Sequence, residues 1–230
     1  MITPLVQSPA SPADLLHYIV SYQTYPTTLL ICASRADFLA SLQQDIHAQL
    51  TTPALDTEPA RTLQPTSASP LLQAPLYQVA VAKHIRIAFL PTVAHLRAYL
   101  AAFSPHDPAK VAAPPTADGP PTAPGRRPPL LLVYGLLALH RETSEWSAQG
   151  IGSTAAGLVQ SARGAAFRAV VVEPRREGPG DGFEALLGEL APALSGGSRR
   201  DEGGWTGRTV DVRRILGRWF RFQTGQWHVE

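Results

Sequence analysis

The chain has 230 residues and a mass of 24.7 kDa, enough for one domain with a substantial core. Its apolar share is 44%, and its 22 prolines and 18 glycines gather in a few stretches, which predicts ordered segments joined by long loops. It has no apolar run of about 18 residues and no leader of charged then apolar blocks, so membrane-span and secretory-signal readings drop out and an intracellular protein is expected.

A formal charge of +2 does not by itself imply nucleic acid, but the basic set is 18 arginines against two lysines, Lys83 and Lys110. Arginine suits bidentate phosphate contacts, and a bias in genome base composition produces the same count, so location has to decide. The lone cysteine, Cys32, lies in the apolar run Thr28 to Ala33 and reads as core packing rather than a reactive thiol.

In chain order, Ser11, Pro12 and Asp14 form a helix start, and Leu15, Leu16, Ile19 and Val20 share one helical face. Thr27 to Ala33 predicts a strand. Ser34 with Asp37 then opens a second helix carrying Phe38, Leu42, Ile46 and Leu50. Residues 51–75 show no period and are expected to be a loop. Ile85 to Leu90 predicts a buried strand, followed by a helix facing inward through Val93, Leu96, Leu100 and Phe103. Dense prolines from Ser104 to Pro129 exclude helix and central strand.

Leu130 to Tyr134 is the most apolar strand. Ile151, Ala155, Leu158 and Ala162 line a helix, and Ala169 to Val172 is another buried strand. A short helical face at Phe183, Leu186, Leu187 and Leu190 precedes a flexible piece from Ser195 to Gly204. From Arg208 to Phe222, alternation of Val210 with Val212 and of Trp219 with Arg221 about Gly217 predicts an antiparallel hairpin on a sheet edge. The expected fold is α/β: a mainly parallel sheet flanked by helices, with a C-terminal antiparallel hairpin.

Chemistry-bearing motifs are scarce. No Gly-x-x-x-x-Gly-Lys-Ser/Thr loop occurs, and Gly150-Ile151-Gly152-Ser153-Thr154 lacks the lysine and reads as a helix N-cap. His17, His47, His84, His95 and His140 show no metal-ligand spacing, and there is no Gly-x-Ser-x-Gly elbow. No catalytic residue, metal or cofactor is expected. Arginines do cluster, at Arg175 and Arg176, at Arg199 and Arg200, and at Arg208, Arg213, Arg214, Arg218 and Arg221 among Trp205, Trp219, Phe220 and Phe222. Charge that tracks phosphates, interleaved with aromatic faces that stack on bases, is what a single-strand surface needs. A solvated face with core aromatics has the same pattern, and Glu177, Asp181, Asp201, Glu202 and Asp211 dilute the charge. Trp146, in a polar segment, is either a cap over the core or an interface anchor.

The segment Leu130 to Arg141, continuing through Ser144 to Gln149 into a helix and then to Ala169 to Val172, resembles the Walker B region of RecA-like recombinases and their paralogues. In that family a strand ends in Asp, a short turn ends in a basic residue, and a polar loop, a helix and a buried strand follow. Thr209 to Arg214 and Arg218 to Phe222 look like the family's terminal hairpin, and the likeness spans roughly residues 25–223. Two departures stand out. Tyr134 occupies the place of the Walker B acid, and the strand and phosphate loop that precede Thr27 in the family have no evident counterpart.

The resemblance implies an N-terminal helical segment at 1–24, a RecA-like core at 25–223 with flexible insertions at 51–75, 104–129 and 175–206, and a tail at 224–230. It also implies a non-catalytic nuclear subunit that pairs with another RecA-like chain in a heteromer and aids homologous recombination, as Shu-complex subunits do. DNA, single-stranded or forked, would be bound through Arg175, Arg176, Arg199, Arg200, Arg213, Arg214 and Arg218, and the partner through Trp146, Trp205 and Trp219. Alternatives are an Elongator-type accessory subunit acting on transfer RNA, a structural adaptor, and an enzyme of unrecognised type.

Overall fold

A computed structural model describes residues 2–22, 27–51, 79, 82–104, 128–176, 182–193 and 208–224. Its elements run β1 (Leu5–Ala10), α1 (Pro12–Tyr22), β2 (Thr27–Ile31), α2 (Arg35–Thr51), β3 (Ile85–Phe89), α3 (Val93–Ala102), β4 (Leu130–Tyr134), α4 (Leu136–Arg141), α5 (Ala148–Gly164) and β5 (Arg168–Pro174). The chain continues through α6 (Phe183–Leu187), β6 (Leu190–Pro192), β7 (Thr209–Asp211), α7 (Val212–Leu216) and β8 (Arg221–Gln223). Six strands form one parallel sheet in the order β3-β2-β4-β5-β1-β8, and β6 pairs with β7 antiparallel in a separate small sheet. The chain is therefore α/β, a mainly parallel sheet flanked by helices with an antiparallel pair toward the C-terminus.

Side-chain alternation along the strands divides the interior into two layers. Leu30, Leu131, Val133, Ala169 and Val171 face one way and pack with α3, α4, α5, α6 and α7. Leu29, Ile31, Leu132, Tyr134, Val170 and Val172 face the other way and pack with Leu15 and Ile19 of α1 and Phe38 of α2. Helix starts follow local chemistry. Ser11 Oγ accepts from Asp14 N at 3.2 Å, and Ser34 Oγ accepts from Asp37 N at 3.1 Å while donating to Asp37 Oδ2 at 2.6 Å. The expected faces of α3 and α5 are buried through Val93, Leu96 and Leu100, and through Ile151, Ala155, Leu158 and Ala162.

Four expectations change. The N-terminal segment is not wholly helical, because Leu5–Ala10 is a strand between β5 and β8. Polar Gln7 and Ser8 are buried there, so the usual alternation is missing, and Pro9 falls where the pairing with β5 shifts register. β3 is an edge strand rather than a buried one; among the described residues it pairs with β2 alone, and Ile87 is 47% exposed. Leu190 leaves the expected helical face and lies exposed on β6.

The fourth concerns Arg208 to Phe222, whose two halves do not pair with each other. Asp211 Oδ1 accepts from Arg214 N at 2.6 Å and starts α7, whose Val212, Ile215 and Leu216 are buried at helical spacing. β7 pairs instead with β6, and β8 runs parallel to β1 at the other sheet edge. Of the expected insertions, residues 52–75, 105–127, 177–181 and 194–206 lie outside the described residues, as does the tail beyond Thr224.

Candidate functional site

In open parallel sheets ligands sit beyond the carboxyl ends of the strands, where loops and helix N-termini face an open crevice. Here that end is filled by the protein's own groups. β1 passes to α1 through Ser11 alone, and the first amides of α1 are taken: Ala13 N donates to Asp45 Oδ2 of α2 at 2.8 Å, and Asp14 N donates to Ser11 Oγ. The carboxylate of Asp45 thus occupies the place an anion would take at a helix N-terminus. Tyr134, ending β4, donates its hydroxyl to Ala10 O at 3.1 Å, and Arg175 N donates to the same carbonyl at 3.0 Å. Phe38 of α2 packs edge-on against both Tyr134 and Phe89 at this end of the sheet. Burial, then the nearby Glu173, raises the Tyr134 phenol well above its ordinary value, so it stays a neutral donor.

Glu173, at the end of β5, is 2% exposed. Its carboxyl accepts from Leu137 N at 2.7 Å and Ala138 N at 3.1 Å, at the start of α4. Burial raises its pKa to about 7 against the lowering effect of those two amides and of Arg141 and Arg176. Cys32 belongs to the core, and burial with Glu173 nearby pushes its thiol up, which is the setting of an unreactive thiol.

A polar network fixes the segment between α4 and α5. His140 is buried, and burial lowers its pKa, leaving a neutral ring. Nδ1 donates to Leu136 O at 2.7 Å, so Nε2 accepts from the Thr154 hydroxyl at 3.0 Å. Arg97 of α3 donates through Nε to Thr154 Oγ1 at 2.9 Å, and through Nη2 to Glu145 Oε2 at 2.6 Å and Gly150 O at 2.9 Å. Gly150 lies inside the first turn of α5, where Ser147 Oγ accepts from its N–H at 3.0 Å. A Cβ at Gly150 would stand 2.3 Å from Glu145 O, so glycine is needed there for close packing; the N-cap of α5 is Ser147, and Gly150 to Thr154 lie inside the helix rather than at its cap as expected.

Most of the described candidate arginines carry a carboxylate partner. Arg175 meets Asp14 at 3.0 Å, Arg176 meets Glu189 at 2.7 Å, and Arg213 bridges Glu184 while lying 5.6 Å from the centre of the Phe222 ring. Arg214 and Arg218 are exposed on and just after α7, and Arg199, Arg200 and Trp205 lie outside the described residues. Trp146 is partly buried against the core with its Nε1 donating to Leu190 O at 3.3 Å, whereas Trp219 is 40% exposed. Arg175 and Arg176 follow β5, and Arg176 is linked through Glu189 and Arg141 to Trp146, while Arg213 and Arg214 lie on α7 and Arg218 just after it.

Three residues of this region were not expected from sequence. Arg141, stacked 5.1 Å from the Trp146 ring centre, donates to the same Glu189 as Arg176. Arg141 and Glu189 are 48 residues apart, so no local pattern announces the pair. Glu173 did leave a signal: an acid directly after Val170-Val171-Val172 must be buried or end the strand.

Among the described residues, fold and site define a class: an α/β chain with a six-stranded parallel sheet that carries its own aromatic and acidic side chains, Phe38, Tyr134 and Asp45, at its carboxyl end. No protein-family model matches the chain, and no curated protein matches it in sequence. Among the described residues, no helix is long and apolar enough to cross a membrane.

Proposed function

We propose that the chain is a non-catalytic subunit of a recombinase-paralogue-type complex, pairing with another RecA-like chain in the nucleus and contacting DNA during recombination repair. The observation that carries this reading is the Asp45 carboxylate on the first turn of α1, with only Ser11 between β1 and that helix. A nucleotide phosphate placed there would meet a fixed negative charge and no glycine-rich loop. Two further features support it. β1 stands where the family carries a strand before Thr27, and Tyr134, in the place of the Walker B acid, is committed to Ala10 O. The role left to such a chain is positioning DNA, through arginines flanking the end of β5 and on α7.

Replacing Arg175, Arg176, Arg199 and Arg200 together by Ala is expected to weaken binding to single-stranded DNA. The slope of log K against log salt should become shallower by about 0.7 for each phosphate that is no longer neutralised. Anisotropy titrations across salt, with circular dichroism to verify the fold, measure this; unchanged affinity and slope would remove these arginines from the interface. The adaptor reading is favoured by a separate observation, that Arg175, Arg176 and Arg213 are already paired while Trp219 and Leu190 are exposed. It predicts no measurable DNA affinity in the unaltered protein.

A further inference from the structure

We propose that Arg141 and Arg176 form a phosphodiester-receiving pair for single-stranded DNA, which Glu189 keeps closed by occupying both guanidinium groups; this rests on the DNA-binding reading above. Glu189 Oε2 accepts from Arg141 Nη2 at 2.5 Å and Nε at 3.2 Å, and Oε1 accepts from Arg176 Nη1 at 2.7 Å. A carboxylate with one oxygen on each of two arginines presents the charge and spacing of two phosphate oxygens. The two guanidinium groups are therefore already aimed as a phosphate would need them. Arg141 is held in place by its stack on Trp146, which is itself tied to Leu190 O. Arg176, two residues after β5, is the more exposed of the two and is placed for first encounter.

The Glu189 carboxylate is separable from what holds its segment in place. Phe183, Leu186, Leu187 and Ala191 are buried, Glu189 O accepts from Val212 N at 2.9 Å, and β6 is paired with β7. Part-exposed ion pairs add little to stability, so removing the carboxyl charge leaves the segment docked. The same carboxylate opposes an incoming strand directly, because a phosphate has to displace it from both arginines.

The test uses the full chain and a labelled single-stranded oligodeoxythymidine, read by anisotropy across salt. Glu189→Gln is expected to bind several-fold more tightly than the unaltered protein, with a salt slope steeper by about 0.7 for each additional phosphate neutralised. Asp37→Asn makes the same change in charge on α2, over the other face of the sheet, and is expected to leave binding unaltered. Adding Arg141→Ala and Arg176→Ala to Glu189→Gln should abolish the gain. If the unaltered protein binds and Glu189→Gln matches it, or if Asp37→Asn gains as much, the gate is refuted while the DNA-binding reading stands. If neither the unaltered protein nor Glu189→Gln binds, the DNA-binding reading falls and takes this proposal with it. A gain confined to oligouridine would overturn the assignment to DNA.

Discussion

Replacing Val133 by Asp is expected to unfold the domain or leave it with a small fraction of its stability. Val133 is fully buried on β4, which lies between β2 and β5, and its register neighbours Leu30 and Val171 are fully buried as well. A carboxylate there would have no access to solvent and apolar side chains around it, and even the protonated acid would lack a partner while losing the valine's packing in the core layer against α3 to α7. The cost is on the order of 4–5 kcal/mol or more, against a total stability of roughly 5–15 kcal/mol for a domain of this kind. Val133→Ala, which leaves only a small cavity, is expected to cost about 1–3 kcal/mol and to fold. Thermal melts followed by circular dichroism separate the two. A Val133→Asp protein melting within a few degrees of the unaltered one would contradict the central place of β4.

The second large effect is a pH dependence set by Glu173. Its carboxyl titrates near the ordinary value of 4.5 in the unfolded chain and at about 7 when folded, burial being the main cause. Between those values the folded protein holds a proton that the unfolded chain has released. The Glu173 contribution to stability therefore falls as pH rises through this window and is level on either side. From pH 5 to pH 8 the loss is roughly 2–3 kcal/mol. Glu173→Gln removes the titration, so the difference in unfolding free energy between the unaltered protein and the variant should shift by that amount in urea titrations over this range. Parallel pH profiles would show that Glu173 is ionised throughout and that the amides of Leu137 and Ala138 outweigh its burial.

What could be read from sequence was what local chemistry decides. Ser34 and Asp37 announce α2, the unbroken apolar run Leu130 to Tyr134 announces β4, and Ile151, Ala155, Leu158 and Ala162 announce the inner face of α5. β1 was hidden because a strand buried between two neighbours can keep Gln7, Ser8 and Pro9 when its backbone pairing and one register shift absorb them. α7 was hidden because Val210 and Val212 mimic strand alternation until Asp211 is recognised as a cap and Val212, Ile215 and Leu216 as one helical face. β3 has the composition of a central strand, and only the sheet order makes it an edge.

The candidate site was less legible. Arginines are visible in sequence, but what they do depends on carboxylates that only the fold brings to them: Asp14 to Arg175, Glu189 to Arg141 and Arg176, and Glu184 to Arg213. The contact of Asp45 with Ala13 N spans 32 residues and follows from the packing of α1 on α2.

The most direct test of the account is affinity purification of the chain from the cells that make it, with its partners identified by mass spectrometry. If the proposed reading holds, the chain, with Asp45 on the first turn of α1 and Tyr134 committed to Ala10 O, should be recovered with a recombinase-type chain that retains its ATPase motifs. Recovery of Elongator subunits instead, or of no RecA-like chain at all, would contradict it.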